Sequence, residues 1–464
     1  MLFNTIHFFL FLAVVLALFY TSPRALRKYI LLVASYFFYG SWNYKFIPLL
    51  LTLTVIDYTA GIWLEKVPPG PRRKAVLILS LCANLGFLGF FKFYNFLGSN
   101  LAWVLDKPAN SFFLDIVLPL GISFHTFQSM SYVVDVYRGE QSAVRNPIDY
   151  ALFICFFPQL VAGPIVRARN FFHDLFHWQP PTSEDISRGI LLMALGLTKK
   201  MAFADQFAKV ANDYFKNVPG NPGMVTAWSG TIAFGLQIYF DFSGYTDMAI
   251  GMAKLLGFHF PVNFRRPYLA ASITDFWRRW HISLSTWLRD YLYISLGGNR
   301  HGRWMTYRNL MITMLLGGLW HGASWNFVIW GGYHGALLSL ERVFRGGRPV
   351  RDDWNWLYPL KAIVTFALVM IGWVFFRAAD LPQSLQILHQ MFGSFHGHTL
   401  FSHWHNGLIL LALALAMAEE ELDWFERLLR APMLAYASAL ALMFFCIEVF
   451  GVIDASIPFV YFQF

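Results

Sequence analysis

Charged residues are scarce in this sequence. Asp, Glu, Lys and Arg together make up 14% of its 464 residues, whereas a soluble globular domain carries about 25%. So little charge cannot cover the surface of one large water-soluble globule, and that class is excluded. Hydrophobic residues make up 57% and aromatic residues 19% of the chain. The composition therefore predicts an all-α polytopic membrane protein, and the long apolar runs exclude the alternating strands of an outer-membrane barrel.

Cysteine and the common catalytic motifs are also nearly absent. The three cysteines, Cys82, Cys155 and Cys446, lie in apolar segments without CxxC or zinc-type spacing, and we interpret them as buried, inert thiols. The chain has no Walker A loop, GxSxG elbow or HExxH motif, so nothing indicates the enzyme classes that use them. The histidines of "HGHTLFSHWH" have no clear carboxylate partner, and we expect no metal site.

Basic residues outnumber acidic ones and give a net charge of +9. Such an excess suits nucleic acid, but here the basic residues flank apolar runs, as in cytoplasmic loops that face anionic lipid. The first apolar run, "FFLFLAVVLALFY", has no basic residue before it and is followed by Arg24, Arg27 and Lys28. It therefore predicts a first spanning helix with its N-terminus outside, rather than a cleaved signal peptide.

Apolar runs and basic clusters alternate along the chain as the positive-inside rule requires. We predict roughly eleven or twelve spans within a single membrane domain of residues 1–464. The spans are expected near 3–20, 29–41, 46–64, 75–97, 112–136, 187–210, 225–256, 307–323, 326–343, 358–376, 405–419 and 432–451.

Two segments depart from a simple series of spans. Residues 145–169 carry arginines at both ends and two prolines with a glycine between them, which favours a re-entrant segment buried in protein over a proline-kinked span. The pair of spans within 307–343 has only about 17 residues per pass, or about 26 Å of helix, against about 30 Å of hydrocarbon. Short spans at this point predict a locally thin barrier.

Two carboxylates lie in the apolar stretch "YFDFSGYTDMAIG". Asp241 and Asp247 are costly at membrane depth, so each is expected to have a partner. We favour a structural ion pair or hydrogen-bonded network, because nothing else in the sequence supports a hydrolase that uses paired carboxylates.

A stretch dense in Arg, Trp and Tyr follows at 265–308, where we predict cytoplasmic-side interfacial helices. Within it "ITDFWRRWHISLSTWLRD" reads as one amphipathic helix, with Trp277 on one face and Arg278 and Arg289 towards another. Membrane anchoring explains part of this pattern, and the arginines also suit the phosphates of a nucleotide-bearing donor. His281 falls on the protein-facing side, which anchoring does not explain.

The apolar stretch "LGGLWHGASWNFVIWGGYHG" contains His321 and His334. Its glycines allow helices to approach closely. A lone histidine in an apolar segment is more often a packing residue than a catalyst, but a neutral imidazole in a confined site can act as a general base. The residues around His321 do not decide between a packing histidine and a general base, so both interpretations stay open.

Several of these stretches together resemble a known family. "YFDFSGYTDMAIG", "SITDFWRRWHISLSTWLRDYLYISLGGNR", "MLLGGLWHGASWNFVIWGGYHG", "FPQLVAGPIVR" and the terminal "YFQF" are similar to the membrane-bound O-acyltransferase (MBOAT) superfamily. Within it they resemble the bacterial alginate O-acetyltransferase branch, the membrane subunit of exopolysaccharide acetylation. The resemblance runs from end to end of the chain and implies a ring of helices around a thinned core with a tunnel.

The resemblance also implies a site. The family's catalytic histidine, in the "LWHG" motif, falls on His321, so 307–343 would hold the catalytic helices. Its second polar position falls on His281, a second catalytic candidate that would orient the reacting groups or polarise the thioester carbonyl. His334 is expected to be a packing or tunnel histidine. The donor site and tunnel lining are expected to include Trp277, Arg278, Arg279, Trp280, Arg289, Asn299, Trp320 and Asn326.

The implied reaction is transfer of an acetyl group across the bacterial inner membrane. Acetyl-CoA would be the cytoplasmic donor, and His321 would accept the proton of a hydroxyl that enters from the periplasm. The acceptor would be an exopolysaccharide, alginate or cellulose or another glycan, or a serine of a periplasmic SGNH-type partner. The expected partners are membrane lipids, the polymer and this periplasmic protein. No nucleic acid is expected to bind. Two alternatives stay open: transfer of D-alanyl or a longer acyl group, and a polysaccharide export channel, although we find no inverted repeats of the kind transporters show.

Overall fold

The computed structural model describes residues 1–161, 163–346, 356–452 and 457–463. In these ranges every regular element is a helix, so the predicted all-α fold class is confirmed. Contacts within the chain divide it into two compact units, which are described separately. Unit 1 comprises Met1–Gly189 and Ala249–Pro261, and unit 2 comprises Ile190–Met248 and Val262–Phe464. The single membrane domain of residues 1–464 stays a prediction.

In unit 1, two pairs of helices run on without a break. A 3₁₀ turn, Tyr44–Phe46, joins α2 to α3, and a π-helical turn, Gly89–Phe93, joins α4 to α5. The helices are α1 Ile6–Thr21, α2 Arg24–Asn43, α3 Ile47–Lys66, α4 Pro71–Leu88, α5 Tyr94–Val104, α6 Ile122–Arg138, α7 Pro147–Cys155, α8 Phe157–Leu160 and α9 Ala168–Phe176.

The next helices carry residues of both units or belong to unit 2. Helices α10 Ser183–Thr198 and α12 Met224–Leu255 have residues in each unit, and a π-helical turn, Lys199–Ala204, joins α10 to α11. The helices of unit 2 are α11 Asp205–Lys216, α13 Ile273–Arg279, α14 Ile282–Trp287, α15 Gly302–His321, α16 Trp325–Phe344, α17 Tyr358–Arg377, α18 Leu381–Met391, α19 His403–Leu422, α20 Trp424–Leu429 and α21 Met433–Phe450. A 3₁₀ turn, Val460–Gln463, ends the described chain.

Several helical stretches are long and apolar enough to cross a membrane. Within the described parts of the chain four meet this description, Arg24–Lys66, Pro71–Val104, Tyr358–Arg377 and Met433–Phe450, and Ile6–Thr21 is a shorter apolar helix. Many of their large apolar side chains are exposed, as expected where lipid is the solvent. The chain is therefore a membrane protein.

Cys82 is exposed, so the prediction of a buried thiol was wrong there.

Some predicted boundaries were wrong. The span predicted at 112–136 begins only at Ile122, and α18 and α20 were not predicted. The pair predicted with about 17 residues per pass forms α15 and α16, each of 20 residues. Twenty residues make about 30 Å of helix, enough for an ordinary hydrocarbon core. Helix length therefore gives no support for a thin barrier.

The segment predicted to be re-entrant is broken into short buried pieces. Helices α7 and α8 are separated at Phe156, and residues 163–167 are not helical. The side chain of Gln128 donates to the Phe153 carbonyl at 2.7 Å, and the Ser35 hydroxyl accepts from the Phe157 amide at 3.1 Å. Protein groups thus satisfy the freed backbone, as irregular backbone at membrane depth requires. A re-entrant path stays a prediction that this burial supports.

Candidate active site

Helices α15 and α16 form a closely packed hairpin, and His321 lies where its first helix ends. A Cβ atom added to Gly318 would lie 2.2 Å from the Phe327 carbonyl oxygen, and one added to Gly331 would lie 2.3 Å from the Met314 carbonyl oxygen. Only glycine permits backbones to approach so closely. His321 is the last residue of α15, and Gly322 after it is extended. The glycines of the motif therefore hold this imidazole at the tip of a rigid helix pair.

Aromatic rings surround His321. Its ring centroid lies 4.8 Å from that of Trp320, 5.2 Å from Trp330, 5.2 Å from Phe376 and 5.8 Å from Tyr461. The residue keeps 6% of its surface accessible, compared with 0% for His281 and 1% for His334. Of these three histidines, His321 is therefore the one with an accessible edge. A neutral imidazole held in such a confined apolar setting is suited to proton transfer.

His281 lies at a break between helices rather than within one. It has φ 43° and ψ 54°, in the left-handed region, and stands between α13 and α14. The predicted single helix was therefore wrong. The side-chain oxygen of Asn263 compensates for the break, because it accepts from the Ser283 amide at 3.0 Å and lies 3.3 Å from His281 Nδ1. A non-glycine residue in this conformation is costly, and such strain is concentrated at functional sites.

One tryptophan contacts both histidines. The Trp320 ring centroid lies 6.4 Å from that of His281 and 4.8 Å from that of His321. Phe242 packs against His281 at 4.7 Å and against Tyr461 at 4.4 Å. The two predicted histidines therefore belong to one continuous aromatic cluster in unit 2.

Tyr461, in the C-terminal tail, joins this cluster and was missed by the sequence analysis. Its hydroxyl is buried and has no hydrogen-bond partner among the described residues. An unpartnered polar group in an apolar setting costs free energy unless a ligand or water satisfies it. The tyrosine therefore supplies a second polar group beside His321.

A buried ion network holds the tail in place. Lys200 pairs with Asp205 at 2.7 Å and with Asp241 at 2.9 Å, and all three side chains are at most 3% exposed. Asp241 also accepts from the Val460 amide at 2.6 Å, and the Lys200 ammonium donates to the Ile457 carbonyl at 3.1 Å. We call Lys200, Asp205 and Asp241 the tail latch. They fix the residues that lead to Tyr461.

The other intramembrane carboxylate also has a cationic partner. Asp247 pairs with Lys199 at 2.5 Å. Both carboxylates of "YFDFSGYTDMAIG" are thus engaged with neighbouring lysines, which confirms the predicted structural network.

Comparisons with known proteins identify the family. Residues 76–378 match the family described as "MBOAT, membrane-bound O-acyltransferase family". The chain belongs to this family. The resemblance seen in the motifs is confirmed, and the chain is a membrane O-acyltransferase.

Three relatives show how far the similarity extends. The probable alginate O-acetylase AlgI of Azotobacter vinelandii is 44% identical over 402 residues, covering 86% of this chain and 79% of the relative. The protein of the same description from Pseudomonas aeruginosa is 45% identical over 394 residues, covering 84% and 74%. The peptidoglycan O-acetyltransferase of Helicobacter pylori is 38% identical over 403 residues, covering 81% and 75%.

The aromatic residues predicted to line the acyltransferase tunnel are mostly in the cluster. Trp320 lies between the two histidines, and Trp280 is fully buried, with its ring 5.0 Å from Trp373. Trp277 packs against His334 at 5.2 Å. Asn326 donates to the Ala378 carbonyl at 3.1 Å, while its side-chain oxygen has no partner among the described residues.

The cationic and polar candidates of the interfacial segment are dispersed. Arg278 and Arg289 are exposed, and Arg289 pairs with its neighbour Asp290 at 2.7 Å. Arg279 is engaged by Asp275 at 2.9 Å and by Glu420 at 3.1 Å. A guanidinium held by two carboxylates is a structural tie. Of these three, only Arg278 and Arg289 are therefore presented to solvent.

Asn299 lines a cavity of about 250 Å³ together with Arg303, Thr306 and Arg342. This cavity lies at the start of α15, the helix that carries His321 at its far end. Arg303 and Arg342 are therefore available to an anionic part of a ligand in this cavity, and neither was predicted.

His334 is packed among rings. It lies 4.9 Å from Trp330 and 5.5 Å from Tyr333, and a Cβ on Gly372 would lie 2.8 Å from its Nε2. These contacts favour the packing role for His334. Among the described residues no group of three or more His, Cys, Asp or Glu is placed to hold a metal ion.

Proposed function

We propose that this O-acyltransferase moves an acetyl group from cytoplasmic acetyl-CoA across the bacterial inner membrane for O-acetylation of an exopolysaccharide. The observation that carries the proposal is the position of His321, at the tip of the glycine-packed hairpin and beside the Tyr461 hydroxyl, which has no hydrogen-bond partner in the described parts of the chain. A base and a hydrogen-bond donor in one aromatic setting are the groups that acyl transfer needs.

The proposed step is a general-base attack. His321 accepts the proton of the acceptor hydroxyl while the oxygen attacks the carbonyl carbon of the thioester. The tetrahedral intermediate then expels the CoA thiolate, and the imidazolium returns the proton to that sulfur. One C–O bond forms and one C–S bond breaks, so neither oxidant nor metal is needed. In this proposal the Tyr461 hydroxyl, whose ring lies 5.8 Å from that of His321, would donate to the reacting oxygens.

His281 has a supporting role in this proposal. It is fully buried and held by Asn263, and the Trp320 ring lies in contact with both His281 and His321. It would therefore orient Trp320 and the reacting groups, which makes it a positioning residue.

The cavity at the start of α15 supports a donor with phosphates at one end. Arg303 and Arg342 line it, and arginine is well suited to phosphate. Since α15 has 20 residues, the cavity and His321 lie about 28 Å apart along the helix at about 1.5 Å per residue. Acetyl-CoA has its phosphates and its thioester at opposite ends of a long pantetheine arm, so its phosphates would lie towards this cavity and its thioester towards His321. The donor would enter a thinned core by a tunnel from the cytoplasm.

The acceptor is proposed to be a carbohydrate polymer. Two of the relatives described above are named as alginate O-acetylases and one as a peptidoglycan O-acetyltransferase, which supports alginate or another glycan. The hydroxyl would belong to the polymer, or to a serine of a periplasmic SGNH-type partner that then acetylates the polymer. In this arrangement the N-terminus lies in the periplasm, as the basic residues after α1 suggest.

The test uses a strain that makes acetylated polymer. With His321→Ala, we expect loss of O-acetyl groups while polymer export continues. His334→Ala is the matched control, because it removes another buried histidine of the same hairpin, and it should retain acetylation wherever the protein accumulates. Loss of export with acetylation preserved would instead indicate a channel. Ester-linked D-alanine in place of acetyl would indicate the other acyl donor.

A further inference from the structure

A second cavity, in unit 1, combines positive charge with an apolar wall. It has a volume of about 240 Å³ and lies where α1 ends and α2 begins. Arg24, Arg27, Lys28 and Asp149 are its charged lining residues, which leaves a net charge of +2 at the cavity. This cavity has no part in the proposed acyl transfer.

The two arginines are fixed but not neutralised. Arg27 lies over the Trp178 ring at 4.4 Å and over the Phe19 ring at 5.2 Å, and Arg24 donates to the Trp178 carbonyl. Neither has a carboxylate within 4 Å in the described parts of the chain. Lys28, in contrast, pairs with Asp149 at 2.7 Å. Rings and a carbonyl thus preorganise two cationic groups that still lack an anion.

The position of these charges on α2 is itself unfavourable. Arg24, Arg27 and Lys28 lie in the first turns of the helix, where the helix dipole favours negative charge. The positive-inside rule accounts for basic residues near a membrane surface, but it does not require that they line a cavity. A bound anion would compensate both the charges and the dipole.

The apolar wall indicates the source of the anion. Phe19, Leu31 and Phe258 line the cavity and are buried. Next to Phe19 on α1, Leu18 is 51% exposed and Val14 is 57% exposed, so an apolar strip continues from the cavity along the helix into the lipid region. We propose that this cavity binds the phosphate group of an anionic phospholipid, with the acyl chains lying along α1.

The experiment measures lipid binding to the intact chain in detergent by native mass spectrometry, with short-chain phosphatidylglycerol, phosphatidylcholine and inorganic phosphate as separate probes. We expect preferential binding of phosphatidylglycerol, weakened about 30-fold in Arg24→Gln/Arg27→Gln, since a basic residue near an anionic lipid surface contributes about 1 kcal/mol. The matched control is Arg72→Gln/Lys74→Gln, which removes two exposed charges at the start of α4 and should bind as the unmodified chain does.

A second variant tests the proposal even if Arg24→Gln/Arg27→Gln fails to fold. Ala25 lines the cavity between the arginines, and Ala25→Glu should abolish phosphatidylglycerol binding with all three cations intact, whereas Ala25→Gln should not. Equal binding by the Arg24→Gln/Arg27→Gln and Arg72→Gln/Lys74→Gln proteins would overturn the proposal. Binding of inorganic phosphate without phosphatidylglycerol would overturn the lipid assignment.

Discussion

Asp241→Asn tests whether the tail latch positions Tyr461 for catalysis. The asparagine has the shape of the aspartate and keeps an acceptor for the Val460 amide, but it removes the charge that faces Lys200 at 2.9 Å. Breaking a buried ion pair costs about 3–5 kcal/mol. We expect the low end of this range, since Lys200 keeps Asp205. A loss of about 3 kcal/mol lowers the docking equilibrium of the tail by about 100-fold.

The assay has two readouts on the purified protein. Amide hydrogen exchange at Val460 should accelerate by about 100-fold, as the docked state protects this amide, and acetyl transfer per folded molecule should fall. The matched control is Asp247→Asn, which removes an ion pair with Lys199 six residues along the same helix. It should lower stability without loosening the tail. If Asp241→Asn frees the tail while transfer is unchanged, Tyr461 has no part in the reaction.

Three further changes are expected to have distinct effects. Tyr461→Phe keeps the ring and removes the hydroxyl, so transfer should fall with expression unchanged; equal rates would exclude a role for that hydroxyl. Gly318→Ala places a Cβ 2.2 Å from the Phe327 carbonyl oxygen, and this overpacking should lower the free energy of unfolding by about 1–3 kcal/mol. We therefore expect a lower melting temperature and loss of activity; a normal melting curve would contradict the close approach. Arg279→Gln breaks a tie to Glu420 and should lower stability without raising KM for acetyl-CoA, whereas a raised KM at normal stability would make it a donor contact.

The environment of His321 could be predicted from its neighbours in sequence. Gly318 and Gly331, which pack the hairpin, lie three and ten residues from His321, so one short stretch contains both the imidazole and the residues that hold it. The aromatic rings of Trp320 and Trp330 belong to the same stretch. Local sequence therefore specified this half of the candidate site.

The other half depends on contacts between distant residues. The Val460 amide donates to Asp241, which lies 219 positions earlier in the chain. No pattern in the apolar tail predicts this partner. The break at His281 was missed for a similar reason, since "WRRWHISL" contains neither glycine nor proline. The hydrogen bonds of Asn263, 20 positions before Ser283, stabilise it. Periodicity does not reveal a break stabilised from outside the helix.

The wrong span lengths have a simpler cause. Helix α15 begins at Gly302 and contains Arg303 and Thr306, which the prediction placed in the interfacial segment 265–308, before the span at 307–323. A helix continues through an interface wherever its backbone hydrogen bonds are satisfied. The apolar part of α15 was therefore predicted, and its polar start was not.

The most direct test of the central claim is the transfer of labelled acetyl from acetyl-CoA by the purified protein, comparing His321→Gln with His334→Gln. Both changes replace a buried histidine of the same hairpin with a neutral polar side chain. General-base catalysis contributes about 10²–10⁴-fold, so His321→Gln should slow transfer by at least about 100-fold while His334→Gln stays within a few-fold. Transfer by a folded His321→Gln protein at the unmodified rate would contradict the account.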